Sequence, residues 1–331
     1  MSERRAEVGT ARLPAHAGST VITVGTFDGV HIGHLDVLVR LAARAKATGL
    51  ASVLLTFDPH PLELLKPGAA PLLLTTRDEK LAAIVTTGID YVAVLPFTRE
   101  LANHSAEQFV DLVLRDRFRM AELLIGHDHG FGRGRAGDVE TLRMLGAQRG
   151  FAVDVVAPVE TSDGEPVSST RIRRAVAAGE LDVAAAALGR RYAVTGQVVA
   201  GEARGRALGY PTINVMPESP RKLLPPDGVY AVYAETPRGS FGGMLNLGGR
   251  PTFGDERRTI EAHLFEASGD FYGAAVQVGF VARLRDTKRF DSATDLMAQL
   301  ADDEAQARRA LTLLAEPGNL KGSMQFPPST P

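Results

Sequence analysis

The run Val21-Ile22-Thr23-Val24-Gly25-Thr26-Phe27-Asp28-Gly29-Val30-His31-Ile32-Gly33-His34 reads as an apolar strand, a glycine-bounded turn and the opening of a helix that reaches to about Ala47. His31 and His34 are three apart, so on a helix they are neighbours on one face. A helix N-terminus already favours anions through its unpaired N–H groups and its dipole. Gly25, Gly29 and Gly33 admit tight turns and close backbone approach by a ligand. This combination points to attack on a phosphate, where preplaced donors stabilise charge building on phosphoryl oxygens. A lone His-x-x-His is more often a pair of surface histidines, and it is the strand, turn and helix start around this one that argue for a phosphate site. Zinc is excluded on the chain's own terms. There is no cysteine, no third ligand at metal spacing, and no His pair four apart with Glu between.

Outward from that run, strands and helices alternate as far as about Val156. Ser52–Phe57 is strand-like and is closed by Asp58-Pro59-His60-Pro61. Thr76-Arg77-Asp78-Glu79 and Ser105-Ala106-Glu107-Gln108 have the form of capping boxes, the second opening a helix to about Arg115. Tyr91–Leu95, Leu123–Ile125 and Ala152–Val156 continue the strands, with a helix from about Asp138 to Arg149. Such alternation predicts a doubly wound parallel α/β sheet, with ligands at the carboxyl ends of its strands. After about Leu188 the rhythm changes. Tyr192–Ala200, Gly228–Glu235, Phe241–Leu247, Thr259–Phe265 and Ala275–Leu284 are strands without intervening helices, which predicts an antiparallel sheet or barrel. A helix from about Ser292, its N-cap, to Leu314 presents Leu296, Leu300, Leu311 and Leu314 for packing on the barrel. The domain boundary is expected between Leu181 and Arg191, giving domains 1–187 and 188–315, with 316–331 a loose tail.

Composition bounds the function. The chain has 331 residues, no cysteine and a net charge of −2, which exclude disulfides and thiolate chemistry and argue against nucleic-acid binding through a basic surface. The stretch Met1 to Ser19 has no apolar core of a secretory signal, and no run is long enough to span a membrane, so a cytoplasmic protein without a membrane partner is expected.

Two more segments suit a nucleotide. Gly126-His127-Asp128-His129-Gly130-Phe131-Gly132-Arg133-Gly134-Arg135 is a glycine-dense cationic loop, and Val167-Ser168-Ser169-Thr170-Arg171-Ile172-Arg173 brings hydroxyls and arginines to a helix start. By themselves these read equally as a surface loop and an ordinary N-cap.

Taken in order along the chain, these motifs resemble the bacterial bifunctional riboflavin kinase/FAD synthetase family. Its nucleotidylyltransferase module is matched at Gly25–His34, Phe57–Pro61, Gly126–Gly132 and Ser168–Arg173. Its kinase module is matched at Gly201–Asn214, Gly228–Tyr230, Asn246–Thr252 and Glu261–Leu264. The resemblance spans roughly Val21 to Arg308 and implies a Rossmann-like sheet followed by a β-barrel with a C-terminal helix. It implies phosphorylation of riboflavin by ATP to FMN, then adenylylation of FMN by a second ATP to FAD and pyrophosphate, with Mg²⁺. In the first module it assigns His31 and His34 to catalysis, and Gly25, Phe27, Asp28, Gly33, Ser168, Ser169, Thr170 and Arg173 to ATP. Pro59, Pro61, Asp128 and Phe131 are assigned to the flavin. In the second module it makes Glu261 the base, Thr212 and Asn214 the Mg²⁺ ligands, and Gly201, Gly205, Arg206 and Pro211, with those two, the ATP site. The chain departs from the family at Thr26, commonly Asn, at His129-Gly130, usually Phe-Arg, and at Glu266, frequently Asp. A binding-only flavin sensor would have no need of His31, His34 and Glu261, and a tRNA-charging enzyme would need further domains and a basic surface.

Overall fold

The computed structural model describes residues 7–8, 12–14, 17–127, 130–201, 205, 208–249 and 258–315, apart from the side chains of 7, 8, 135, 314 and 315. They form two compact units. One comprises Met1–Pro71 and Arg77–Ser168, the other Leu72–Thr76 and Ser169–Pro331.

The first unit holds strands β1 (Glu7–Val8), β2 (Thr20–Val24), β3 (Ala51–Asp58), β4 (Tyr91–Pro96), β5 (Met120–Gly126) and β6 (Ala152–Val156). All pair in parallel, in the order β1-β4-β3-β2-β5-β6. The chain builds outward from β2 through β3 to β4, then returns to lay β5 on the other side of β2. The reversal between β2 and β5 opens a crevice at the strands' carboxyl ends, where open α/β sheets bind ligands.

Side chains alternate across each strand. Val21, Leu54, Val92 and Leu124 join Leu38, Leu41, Leu81 and Ile84 on one face of the sheet. The last four come from α1 (Ile32–Thr48) and α3 (Arg77–Val85). Ile22, Val24, Leu55, Leu123 and Ile125 join Phe109, Val113, Leu142 and Leu145 on the other. Buried Val37, Leu38, Leu41 and Ala45 recur at helical spacing along α1. Gly49, left-handed at φ 69°, ends that helix by donating its N–H to the Ala45 carbonyl. Two short helices, α2 (Pro61–Leu65) and α4 (Arg99–Asn103), lie in the connections after β3 and β4. The Ser105–Gln108 capping box forms in both directions and opens α5 (Ala106–Gln108). The ordinary helix expected to about Arg115 continues instead as a wider π-turn, Phe109–Arg115, in which Phe109, Val110, Val113 and Leu114 are all buried. The remaining helix of this unit is α6 (Val139–Arg149).

The second unit begins with α7 (Ser169–Ala178) and α8 (Leu181–Leu188). A barrel follows, made of β7 (Ala193–Val199), β8 (Ile213–Pro217), β9 (Gly228–Thr236), β10 (Gly239–Gly249), β11 (Arg258–Leu264) and β12 (Ala275–Arg285). It closes in the order β10-β11-β8-β7-β12-β9, antiparallel throughout. Strand β8 is not among the strands that the sequence predicts. Asn214 is paired on both sides, with Val199 of β7 and Glu261 of β11, and Ile213 pairs with Ala262 of β11.

The last helix, α9 (Ala293–Ala315), starts where the Asp295 N–H bonds Ser292 Oγ at 3.1 Å. Its Ala307, Leu311 and Leu300 pack on Met244, Phe265 and Val281, and Leu314 lies outside the described side chains. Arg285 holds the fully buried Asp303 of this helix with two bonds of 2.8 and 2.6 Å. The segment Leu72–Thr76 is also tied into this unit. The Leu73 N–H donates to Arg221 O at 2.8 Å, the Leu223 N–H to Leu73 O at 2.9 Å, Lys222 Nζ to Leu74 O at 2.6 Å, and Thr76 Oγ1 to Glu218 Oε2 at 2.8 Å. The expected loose tail, 316–331, lies outside the described residues.

Candidate active sites

The turn after β2 is wound tightly. Phe27 and Val30 take positive φ of 48° and 41°, with Gly29 between them at 85°. Such a conformation strains a β-branched valine, and strain of this kind collects at functional turns. Asp28 and His31 are buried. His31 does not lie within α1, as the spacing predicts, but caps it. Its Nδ1 accepts the His34 N–H at 3.2 Å. The two imidazoles are stacked, with centroids 3.6 Å apart and planes 15° from parallel, and Phe27 packs 4.7 Å from His34. Because Nδ1 is the acceptor, neutral His31 bears its proton at Nε2. Gly33 is close against this ring, where a Cβ would sit 3.3 Å from it. Gly25, Phe27, Asp28, His31, Gly33 and His34 therefore form one cluster at the β2 side of the crevice.

At the end of β3, Pro59 is exposed and Pro61 begins α2, whose cap is a His60–Glu63 box. The Phe131 ring is almost fully buried, 4.9 Å from Phe109, and so belongs to the core of its unit. Asp128 lies outside the described residues, as does His129. Ser168 closes the first unit, while Ser169, Thr170 and Arg173 are on the first turns of α7 in the second. Arg173 Nε donates to Leu72 O at 2.9 Å.

In the barrel, register brings the candidates together. Glu261 on β11 is the direct partner of Asn214 on β8. Gly201 abuts the Asn214 amide so closely that a Cβ there would lie 2.0 Å from Nδ2. Gly205 is seated against the Tyr210 carbonyl, with the Thr212 methyl nearby. His263, two residues past Glu261, bonds Pro211 O through Nδ1 at 2.8 Å. Asn214 Oδ1 is buried and has no hydrogen-bond partner among the described residues. A buried carbonyl oxygen of that kind beside a carboxylate fits a hard divalent cation such as Mg²⁺. Arg206 is outside the described residues, and Glu266, one of the family departures, pairs with Arg308 at 2.9 Å.

Sequence reasoning missed one residue near the first cluster. Lys80 of α3 is buried, and its Nζ reaches Thr26 O. The stripe Lys80, Leu81, Ile84 was the available signal, since it places the lysine on the helix's apolar face. Thr26 is engaged here through its carbonyl, which an Asn at this position would also offer.

Comparison with known proteins agrees with both halves. A family model described as FAD synthetase matches residues 13–171, and one described as riboflavin kinase matches residues 188–311. The bifunctional riboflavin kinase/FMN adenylyltransferase of Pseudomonas fluorescens is 39% identical over 296 residues, covering 89% of this chain and 94% of that protein. Its namesake from Escherichia coli strain K12 is 37% identical over 292 residues, covering 87% and 91%. A crystal structure described as a macrolide-efflux protein from Streptococcus pneumoniae superposes with a TM-score of 0.79 at 30% identity, covering 90% of this chain and 96% of that one. That description concerns that protein, and no helix among the described residues here is long and apolar enough to cross a membrane. With relatives this similar over nearly their whole length, the chain belongs to the bifunctional riboflavin kinase/FMN adenylyltransferase family.

Proposed function

We propose that the two sites divide the family's chemistry between them: riboflavin is phosphorylated in the barrel, and the resulting FMN is adenylylated at the sheet. The observation that carries this reading is the register pair Asn214–Glu261 in one unit and the cap-held His31–His34 pair in the other. In the barrel, Glu261 takes the proton of the ribityl 5′-hydroxyl as its oxygen attacks the γ-phosphorus of ATP, and ADP leaves. A primary alcohol has a high pKa, so a placed carboxylate helps this attack. Thr212 and Asn214 would hold Mg²⁺, which neutralises charge on the transferring phosphoryl group when bound. Gly201, Gly205, Arg206 and Pro211 shape the ATP site around them.

At the sheet, an oxygen of the FMN phosphate attacks the α-phosphorus of a second ATP, the α–β bridge breaks, and pyrophosphate leaves. The nucleophile is already ionised, so no strong base is needed. His31, donating from Nε2, and His34 stabilise the developing charge. Gly25, Phe27, Asp28 and Gly33 receive the nucleotide and Pro59 and Pro61 frame the flavin, while the family resemblance further assigns Ser168, Ser169, Thr170 and Arg173 to ATP and Asp128 and Phe131 to the flavin. The functional domains are 1–187 and 188–315, and the cysteine-free chain acts in the cytoplasm. The test is a chromatographic assay of riboflavin, FMN and FAD. Glu261→Ala should abolish FMN formation and leave conversion of supplied FMN to FAD, and His31→Ala should do the reverse. Loss of both activities in either folded variant would contradict independent sites.

A further inference from the structure

Lys80 has no part in the chemistry above, yet it is 8% exposed and its ammonium is saturated by oxygens from both strand ends of the sheet site. Nζ donates to Thr26 O at 3.2 Å, Thr56 Oγ1 at 3.1 Å and Phe57 O at 3.3 Å, which uses all three of its N–H groups. Thr56 Oγ1 in turn donates to Thr26 O at 3.1 Å. Thr26 belongs to the turn that receives the nucleotide, and Phe57 leads directly into Asp58-Pro59 on the flavin side. The backbones of these two segments are joined by the Gly25 N–H on Leu55 O at 3.0 Å. One residue further on, the Thr56 hydroxyl and the Lys80 ammonium make the connection.

We propose that Lys80 is a positioning residue for adenylyl transfer, fixing the nucleotide-binding turn against the flavin-binding strand end so that the FMN phosphate meets the α-phosphate in line. This rests on the assignment of Gly25–His34 and Pro59–Pro61 to that reaction.

Packing does not account for a lysine here, because an apolar side chain of the same length would fill the space without burying a charge. Burial lowers the pKa of the ammonium, and Asp28 and Asp58 draw it back up, one carboxylate from each segment, with Arg77 of the same helix opposing them. The cation is thus matched to two carboxylates that flank the site.

The test uses the full chain and three variants, Lys80→Met, Thr56→Val and His31→Ala, with riboflavin phosphorylation as an internal control. Lys80→Met should lower kcat for FAD formation by about 100-fold, the scale of a misalignment near 1 Å, with KM for ATP and FMN within about threefold of the parent. Riboflavin phosphorylation should be unchanged. Thr56→Val removes one hydroxyl and should lower the same kcat about fivefold, and the double variant should be no worse than Lys80→Met alone, as expected of groups acting as one unit. A normal kcat in Lys80→Met, with His31→Ala inactive, overturns the role of Lys80. So does a loss spread equally over kcat and both KM values, which marks a merely structural lysine. If Lys80→Met does not fold, Thr56→Val decides, and an unchanged kcat there overturns the proposal. Full FAD synthesis by His31→Ala would instead remove the site assignment beneath it.

Discussion

Gly201→Ala places a methyl carbon 2.0 Å from Asn214 Nδ2, 2.5 Å from its Cγ and 2.8 Å from its Oδ1. Ordinary contact begins at 3.4 Å, so the amide has to retreat by about 1.4 Å. The backbone of Asn214 cannot follow, because β8 is paired on one side with β7 and on the other with β11. The side chain therefore turns away from its place opposite Glu261. A displacement of about 1 Å in a positioning group costs on the order of 100-fold in rate, or about 2.7 kcal/mol of transition-state stabilisation. Riboflavin phosphorylation by Gly201→Ala should fall by that factor, measured as initial FMN formation at saturating riboflavin and ATP. Conversion of supplied FMN to FAD should stay within about twofold of the parent, since the sheet site is untouched. Asn214→Ala should be as slow as Gly201→Ala, and combining the two should add little, because both remove one interaction. A folded Gly201→Ala protein that keeps phosphorylation within about threefold would refute the reasoning, since the Asn214 amide would then be free to move without consequence.

Asn214→Ala should also raise the Mg²⁺ concentration needed for half-maximal phosphorylation by about tenfold, checked by titrating the metal after EDTA treatment. His31→Ala removes a helix cap as well as an imidazole and should cost about 1 kcal/mol in denaturant unfolding. His31→Asn should restore that stability and not FAD synthesis, which separates the two roles. Asp303→Ala leaves Arg285 partly buried without its carboxylate, and should destabilise the barrel by about 3 kcal/mol in chemical denaturation. Adding Arg285→Met should recover most of that loss, because no unpaired charge then remains.

The sheet was legible because its signals are local. Val21–Val24, the Ser105–Gln108 box and the apolar spacing along α1 each act within a few residues, and the structure retains all three. The turn expected to hold a phosphate was read from the glycines and histidines that follow the first strand, at the carboxyl end where such sheets bind ligands. The capping role of His31 was harder to see, since two histidines three apart read the same way within a helix or across its start. In the barrel, β8 was hidden because Ile213–Pro217 is short, lies between prolines and becomes a strand only by lying between β7 and β11. The pairing of Asn214 with Glu261 is a matter of register between distant segments, which the composition of neither segment records. Lys80 was passed over for a simpler reason: a lysine after Asp-Glu at a helix start resembles any solvated face, and its place in the stripe with Leu81 and Ile84 was the one sign against that.

The five residues Leu72–Thr76 give the protein a birth order. Their carbonyls, N–H groups and hydroxyl are matched by Glu218, Arg221, Lys222 and Leu223, and Thr76 and Leu74 lie 142 and 148 residues ahead of the side chains they bond. At about 5–20 residues per second, translation leaves this segment hydrated for roughly 7–30 s after it emerges, until its partners have been made. The segment is thus made with the first module and takes its place in the second. A gene cut between the two modules would hand the segment to the half that cannot satisfy it.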